Sequence, residues 1–270
     1  MGTGTVTFTV TFTLMQGSTV IGSPVTSGTV TSGAANASLT LPAGTIAGSY
    51  TIQVVYNAGA GFATSSDSSH TLTVGFTAPV PAGGNSCNGA YNGTFNGNLN
   101  VSSGQACVFV GGGVTGNITQ TGGDLILIGS TVTGNVQIQG GGTFSLSAST
   151  SIQGNLEIQH LPNSTAPNQI CSVNVKGNLQ YQNSGAPVEI GAVSGCPGNA
   201  VGGDLQVQSI TAAVAIFNNT VTGNLQVQND TASTMVFYNT VSKSIQCGGN
   251  TTITGGGNTA QSKQQQCAGF

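Results

Sequence analysis

The side chains able to do covalent or acid–base chemistry are few: six carboxylates, two histidines, six cysteines and three lysines, with no arginine, in 270 residues. The cysteines are Cys87, Cys107, Cys171, Cys196, Cys247 and Cys267, separated in successive pairs by 20, 25 and 20 residues. None forms a C-x-x-C pair, and His70 and His160 lie far from them, so zinc and redox-motif spacing is missing and no metal ligand set is expected. An even cysteine count in a charge-poor chain instead suggests disulfides formed in an oxidising compartment. Glycoside hydrolysis would need a carboxylate pair. Asp124, Glu157, Glu189, Asp204 and Asp230 are scattered singly, and the absence of arginine weakens any reaction that needs a carboxylate clamp. Neither histidine has a Ser or Cys partner in an elbow or dyad pattern. Gly111-Gly112-Gly113 and Gly140-Gly141-Gly142 lack the Lys-Ser/Thr that follows in a phosphate cradle. The expectation is a protein that is not an enzyme and carries no cofactor.

Composition excludes further classes. Charged residues are 3% of the chain and the formal net charge is -3, which offers no basic field for nucleic acid. Hydrophobic residues are 37%, too many for a disordered chain of the usual kind. No apolar run approaches the roughly 18 residues a membrane helix needs, so no direct insertion of this segment is expected.

The elements that would position these groups are all strands. Thr5-Val6-Thr7-Phe8-Thr9-Val10-Thr11-Phe12 alternates threonine with apolar residues, the period of a half-buried strand. Further strands are expected at Ala37-Ser38-Leu39-Thr40-Leu41, Tyr50-Thr51-Ile52-Gln53-Val54-Val55-Tyr56 and Thr71-Leu72-Thr73-Val74, divided by Gly- and Ser-rich turns as in an antiparallel sandwich. Residues 76–86, with two prolines and then two glycines, read as a linker.

Beyond the linker one unit recurs. Gly97-Asn98-Leu99, Gly116-Asn117-Ile118, Gly134-Asn135-Val136-Gln137-Ile138-Gln139 and Gly154-Asn155-Leu156-Glu157-Ile158-Gln159 are its first copies. Those anchored at Gly177, Gly203 and Gly223 follow, then weaker traces at Lys243 and Lys263. The intervals are 19, 18, 20, 23, 26, 20, 20 and 20 residues. A lone apolar residue precedes most anchors: Val114, Val132, Ile152, Val175, Val201, Val221 and Val241. Short strands that cannot bury an apolar face alone do so by stacking, which predicts a parallel β-helix of about eight coils over 87–270. The anchor glycine is expected to serve a corner with unusual backbone angles, and the asparagine after it to bond its own backbone. Residues one coil apart would lie about 5 Å apart. That predicts Cys87–Cys107, Cys171–Cys196 and Cys247–Cys267, with two of the three fastening the ends.

Outward positions of the anchor strands carry Gln137/Gln139, Glu157/Gln159, Gln180/Gln182, Gln206/Gln208 and Gln226/Gln228. They predict two columns of amides on a nearly uncharged contact face, which can stabilise the stack by ladder bonding or meet sugar hydroxyls or another copy. Scarcity of charge suits such a stack, because a charge repeated at one outward position would meet its like about 4.8 Å away.

Two resemblances follow. Gly4-Thr5-Val6-Thr7-Phe8, Leu41-Pro42-Ala43-Gly44, Tyr50-Thr51-Ile52, Val55-Tyr56 and Leu72-Thr73-Val74 resemble a bacterial Ig-like repeat over residues 1–75, which implies a β-sandwich of the kind that builds stalks in surface proteins. The second region resembles bacterial extracellular β-helical repeat segments with G-N-L-Q-V-Q units, here Gly223-Asn224-Leu225-Gln226-Val227-Gln228. Together they imply an extracellular or cell-surface structural or adhesin-type rod, with its export signal outside this segment. Polysaccharide or other copies of itself are the expected partners. The alternatives are a carbohydrate-binding or polysaccharide-degrading β-helix and a subunit of an extracellular filament.

Overall fold

The structure, a computed structural model, describes residues 8–42, 44–59, 62–82, 84–165, 167–192 and 195–270. The chain divides into two compact units, Met1–Gly75 and Phe76–Phe270. All regular structure among the described residues is β.

The first unit is one antiparallel sheet of β1 (Thr9–Gln16), β2 (Thr19–Thr26), β3 (Gly48–Asn57) and β4 (Ser65–Val74), in the order β2-β1-β3-β4. Its strands form where Thr alternates with Val, Ile or Phe, and Gly17 at φ 61° allows the tight β1–β2 turn. The expected strand at 37–41 is not formed. Its apolar residues Ala37, Leu39 and Leu41 instead line a cleft with Leu14, Ile52 and Leu72, so the segment packs against the sheet without joining a ladder. Residues 5–7 of the first expected strand, and Gly4 through Thr7 and Ala43 of the Ig-like resemblance, lie outside the described residues.

The second unit is a parallel β-solenoid. Three sheets run its length, with nine, nine and eight strands, and neighbouring strands within each are parallel. That makes about nine coils where the repeat predicted about eight; the terminal copies, Leu99–Val101 and Ser262–Gln265, both form full rungs. The anchor strands stack into what we term the amide sheet, with Leu156, Leu179, Leu205 and Leu225 in register and facing the core. The lone apolar residues form a second sheet of two-residue strands, in which Val132, Ile152, Val175, Val201 and Val221 are buried one above another. The remaining runs, among them Asp124–Ile128, Phe144–Ser147 and Val214–Phe217, build the third sheet, with Leu127, Leu146, Ile170, Ile190 and Ile216 stacked inward. Each inner column is thus a ladder of like side chains, and together they form one core cluster running from Cys87 to Cys267. Residues 76–86, read as a linker, fall in this second unit. Thr77 donates its N–H to Ala90 (2.7 Å), Gly93 donates to Pro79 (2.6 Å) and Ser86 bridges Asn100.

Candidate functional site

The corners of the coil, rather than its strands, hold most of the polar chemistry. At the corner entering the amide sheet, each anchor asparagine offers its side-chain oxygen to the backbone N–H of the residue one coil on. Asn117 donates to Asn98 Oδ1, Asn135 to Asn117 Oδ1 and Asn155 to Asn135 Oδ1, each at 2.8 Å. The ladder continues through Asn155, Asn178 and Asp204 to Asn224, at 2.7 to 2.9 Å. This corrects the expected local Asn–backbone bond: the partner is the next coil. The glycine has a correction too. Gly116, Gly134, Gly154, Gly177, Gly203 and Gly223 do not adopt positive φ. They are glycine because a Cβ would overlap the asparagine or aspartate oxygen of the preceding coil. Close approach, not backbone freedom, selects them.

A second ladder, absent from the sequence reading, is buried at the corner between the third sheet and the short-strand sheet. Asn199 donates both its N–H (3.1 Å) and its Nδ2 (2.8 Å) to Asn219 Oδ1, and Asn219 does the same to Asn239 Oδ1 (3.0 and 2.9 Å). Asn239 repeats the pattern onto Asn258. The Nδ2 groups of Asn199, Asn219 and Asn239 also donate to the carbonyls of Ile170, Ile190 and Ile216. These side chains are fully buried or nearly so, and the ladder supplies the partners that buried amides require. The residue before each is left-handed: Gly198, Asn218, Tyr238 and Gly257 have φ between 58° and 90°. The signal was available as Asn-x-Val in Asn219-Thr220-Val221 and Asn239-Thr240-Val241.

A third corner, after the amide sheet, holds Asp230. It is fully buried, accepts the N–H of Ile210 (2.9 Å) and donates its own N–H to Asn250 Oδ1 (3.0 Å). Burial pushes its carboxyl up to about 6, outweighing the Ile210 N–H and the Thr234 hydroxyl, which pull it down. Nearby, burial also raises the phenol of Tyr181, whose Oη donates to the Ala186 carbonyl at 2.6 Å.

The remaining acids of the solenoid are each engaged in the stack. Asp124 accepts the N–H and hydroxyl of Thr143 (3.0 and 2.7 Å), Glu157 accepts Gln137 Nε2 (3.1 Å), and Glu189 accepts Gln169 Nε2 (3.5 Å). In the first unit, His70 Nδ1 lies 3.1 Å from Asp67, whose carboxyl is held below the usual range chiefly by the Ser69 N–H and then by the Ser69 hydroxyl. No group of three or more His, Cys, Asp or Glu that could hold a metal occurs among the described residues.

The predicted amide columns are in register. Gln137, Glu157, Gln180, Gln206 and Gln226 form one column, and Gln139, Gln159, Gln182, Gln208 and Gln228 the other. Side-chain bonds between rungs are sparse: Gln137 to Glu157, Gln180 to Gln206 (3.0 Å) and Gln182 to Gln206 (3.4 Å). Among the described residues, the side chains of Gln139, Gln159, Gln208, Gln226 and Gln228 make no hydrogen bond within the protein, so a continuous zipper of amides is not what they form.

The three disulfides join Cys87–Cys107, Cys171–Cys196 and Cys247–Cys267, with Cα atoms 5.3, 5.6 and 5.3 Å apart. None joins register-equivalent positions. Cys107 is opposite Gly89 and Cys247 opposite Gln265, so the partner in each pair lies two residues off the ladder. Cys196 sits in the insertion of the longest coil, beyond the rung of Ile170 and Ile190. No helix among the described residues is long and apolar enough to cross a membrane.

No family model matches the chain, and neither the curated proteins nor the solved structures compared with it show a significant match.

Proposed function

We propose that this is a non-enzymatic extracellular or cell-surface protein of structural or adhesin type, a stack of coils that presents a neutral amide face to a polysaccharide or to another copy of itself. The unpartnered glutamines of that face carry the reading. Were the columns only a stabilising zipper, their amides would bond rung to rung; most are instead left with open donors and acceptors on half-exposed positions. The carboxylates support it from the other side, since those of the solenoid serve as hydrogen-bond acceptors between rungs. Three disulfides fit a non-reducing environment. The first unit is proposed as an Ig-like stalk module of a bacterial surface protein, on its antiparallel strands and the sequence likeness of Tyr50-Thr51-Ile52 and Leu72-Thr73-Val74.

The test is sedimentation of the intact protein, with and without soluble polysaccharide, against a Gln206→Lys/Gln226→Lys variant. Loss of self-association or of polysaccharide binding in the variant supports the reading. Unchanged behaviour in both contradicts it.

A further inference from the structure

A second polar surface lies away from the amide sheet, at the corner holding the buried asparagine ladder. A shallow cleft of ≈ 420 Å³ runs there across successive coils. One side carries Ser149, Ser172 and Asn218 from the left-handed column, and the other carries Ser151, Asn174 and Thr220 from the short-strand sheet. Pro197 closes it from the insertion that the Cys171–Cys196 disulfide ties down, and Asn218 Nδ2 holds that insertion through the Ala192 carbonyl (2.9 Å). Among the described residues, no charged side chain lines the cleft. Among the described residues, the hydroxyls of Ser149, Ser172 and Thr220 and the amide of Asn174 have no hydrogen-bond partner in the protein. Lys176, two residues after Asn174 in sequence, does not line the cleft, and one cation makes no field for a polyanion.

The next rung of the same column holds Tyr238. It follows Phe237, which pairs in register with Phe217, as Asn218 follows Phe217. Where its neighbours are Ser, Gly and Asn, this position holds an aromatic residue at φ 58° that is 60% exposed. Asn and Gly enter the left-handed region readily and Tyr does not, so the backbone gains nothing from the exchange. One side of the ring is backed by Gly257, where any Cβ would strike it. A neutral row of donors and acceptors ending in a held, exposed aromatic ring is the arrangement that meets the hydroxyls and the C–H face of a sugar.

We infer that this corner binds an uncharged linear polysaccharide lying along the stack, with hydroxyls in the cleft and one pyranose ring against Tyr238. Rungs recur about every 4.8 Å, comparable to the advance of one pyranose residue in an extended chain. This site does not depend on the amide face. The test titrates the intact protein with neutral hexasaccharides (β-1,4-glucan, β-1,4-xylan, β-1,4-mannan and α-1,4-glucan) and with a hexauronate, by calorimetry. We expect binding of at least one neutral oligomer, weakened about tenfold or more in Tyr238→Asn and less in Thr220→Val. Tyr238→Asn reproduces the residue of the preceding rung, so its fold is secure. Binding of no neutral oligomer, binding indifferent to Tyr238→Asn, or salt-sensitive binding of the hexauronate alone would each overturn the proposal.

Discussion

In residues 8–75 a single antiparallel sheet must cover its apolar side with a segment, 37–41, that makes no strand; in residues 76–270 three parallel sheets cover one another. The consequence is visible in burial. Among the described residues of the first unit, only Leu14 and Tyr50 are fully buried hydrophobics, whereas the solenoid has a continuous core from end to end. The first unit satisfies its polar groups with ordinary hairpin bonds and a few hydroxyls, such as the Val10 N–H to Ser27 Oγ (3.0 Å). The solenoid has to turn its chain at every corner of every coil, and does so with side-chain ladders that repeat like the sheets. Its stability should therefore be concentrated in buried amides, and the first unit's should be spread thinly.

The sharpest way to break this comparison is at the buried ladder. Asn219→Ala removes the acceptor for two Asn199 donors and the Nδ2 donor to the Ile190 carbonyl. Each orphaned buried group costs about 1–3 kcal/mol, so the solenoid should lose roughly 3–5 kcal/mol while the first unit's transition in calorimetry stays in place.

Asp230 offers a pH-dependent version. Its folded carboxyl titrates at about 6 against an ordinary 3.8, so between those values the folded state holds a proton that the unfolded chain has released. Stability therefore falls as pH rises through this window and stays lowered above it, by at most about 3 kcal/mol. Asn250, one coil on, donates Nδ2 to the Val227 carbonyl (2.9 Å), a hydrogen that an ionised Asp230 lacks. Asp230→Asn should raise stability by about 2–3 kcal/mol at pH 8 and change little at pH 4, as urea unfolding at the two pH values would show.

A more local effect is expected at the last coil. Cys247→Ala/Cys267→Ala removes a link across 20 residues and should cost about 2–3 kcal/mol. The loss should be confined to the terminal rungs and be read by faster proteolysis after residue 243 with the central coils intact.

Much of the solenoid was legible because stacking makes its sequence periodic: every Leu, Ile or Val that recurs in the anchor strands is buried, and the spacing of cysteines identified their partners. The amide columns were legible for the same reason. What escaped were effects between coils at the corners. Gly154 looks the same in sequence whether it needs positive φ or room for the Asn135 oxygen, and only the stacked geometry separates the two. The Asn199–Asn258 ladder was hidden because Ser130 and Thr150 fill the equivalent place in earlier coils, blurring the repeat. Tyr238 escaped as one aromatic residue in a column whose other members are Ser, Gly and Asn. In the first unit, residues 37–41 carry the alternation of a strand but lie against Leu14, Ile52 and Leu72 of the sheet rather than along the edge of β2 or β4, and alternation alone does not separate the two placements.

Hydrogen exchange of the intact chain, read by mass spectrometry, tests the contrast most directly. Amides in Val136–Gln139, Leu156–Gln159, Leu205–Gln208 and Leu225–Gln228, together with the corner N–H groups of Asn199 and Asn219, should stay protected long after those of Thr19–Thr26 and Ser65–Val74 have exchanged. Equal protection in the two regions, or corner amides that exchange as fast as the first unit's edge strands, would contradict the claim that stacked asparagine ladders hold the coils together.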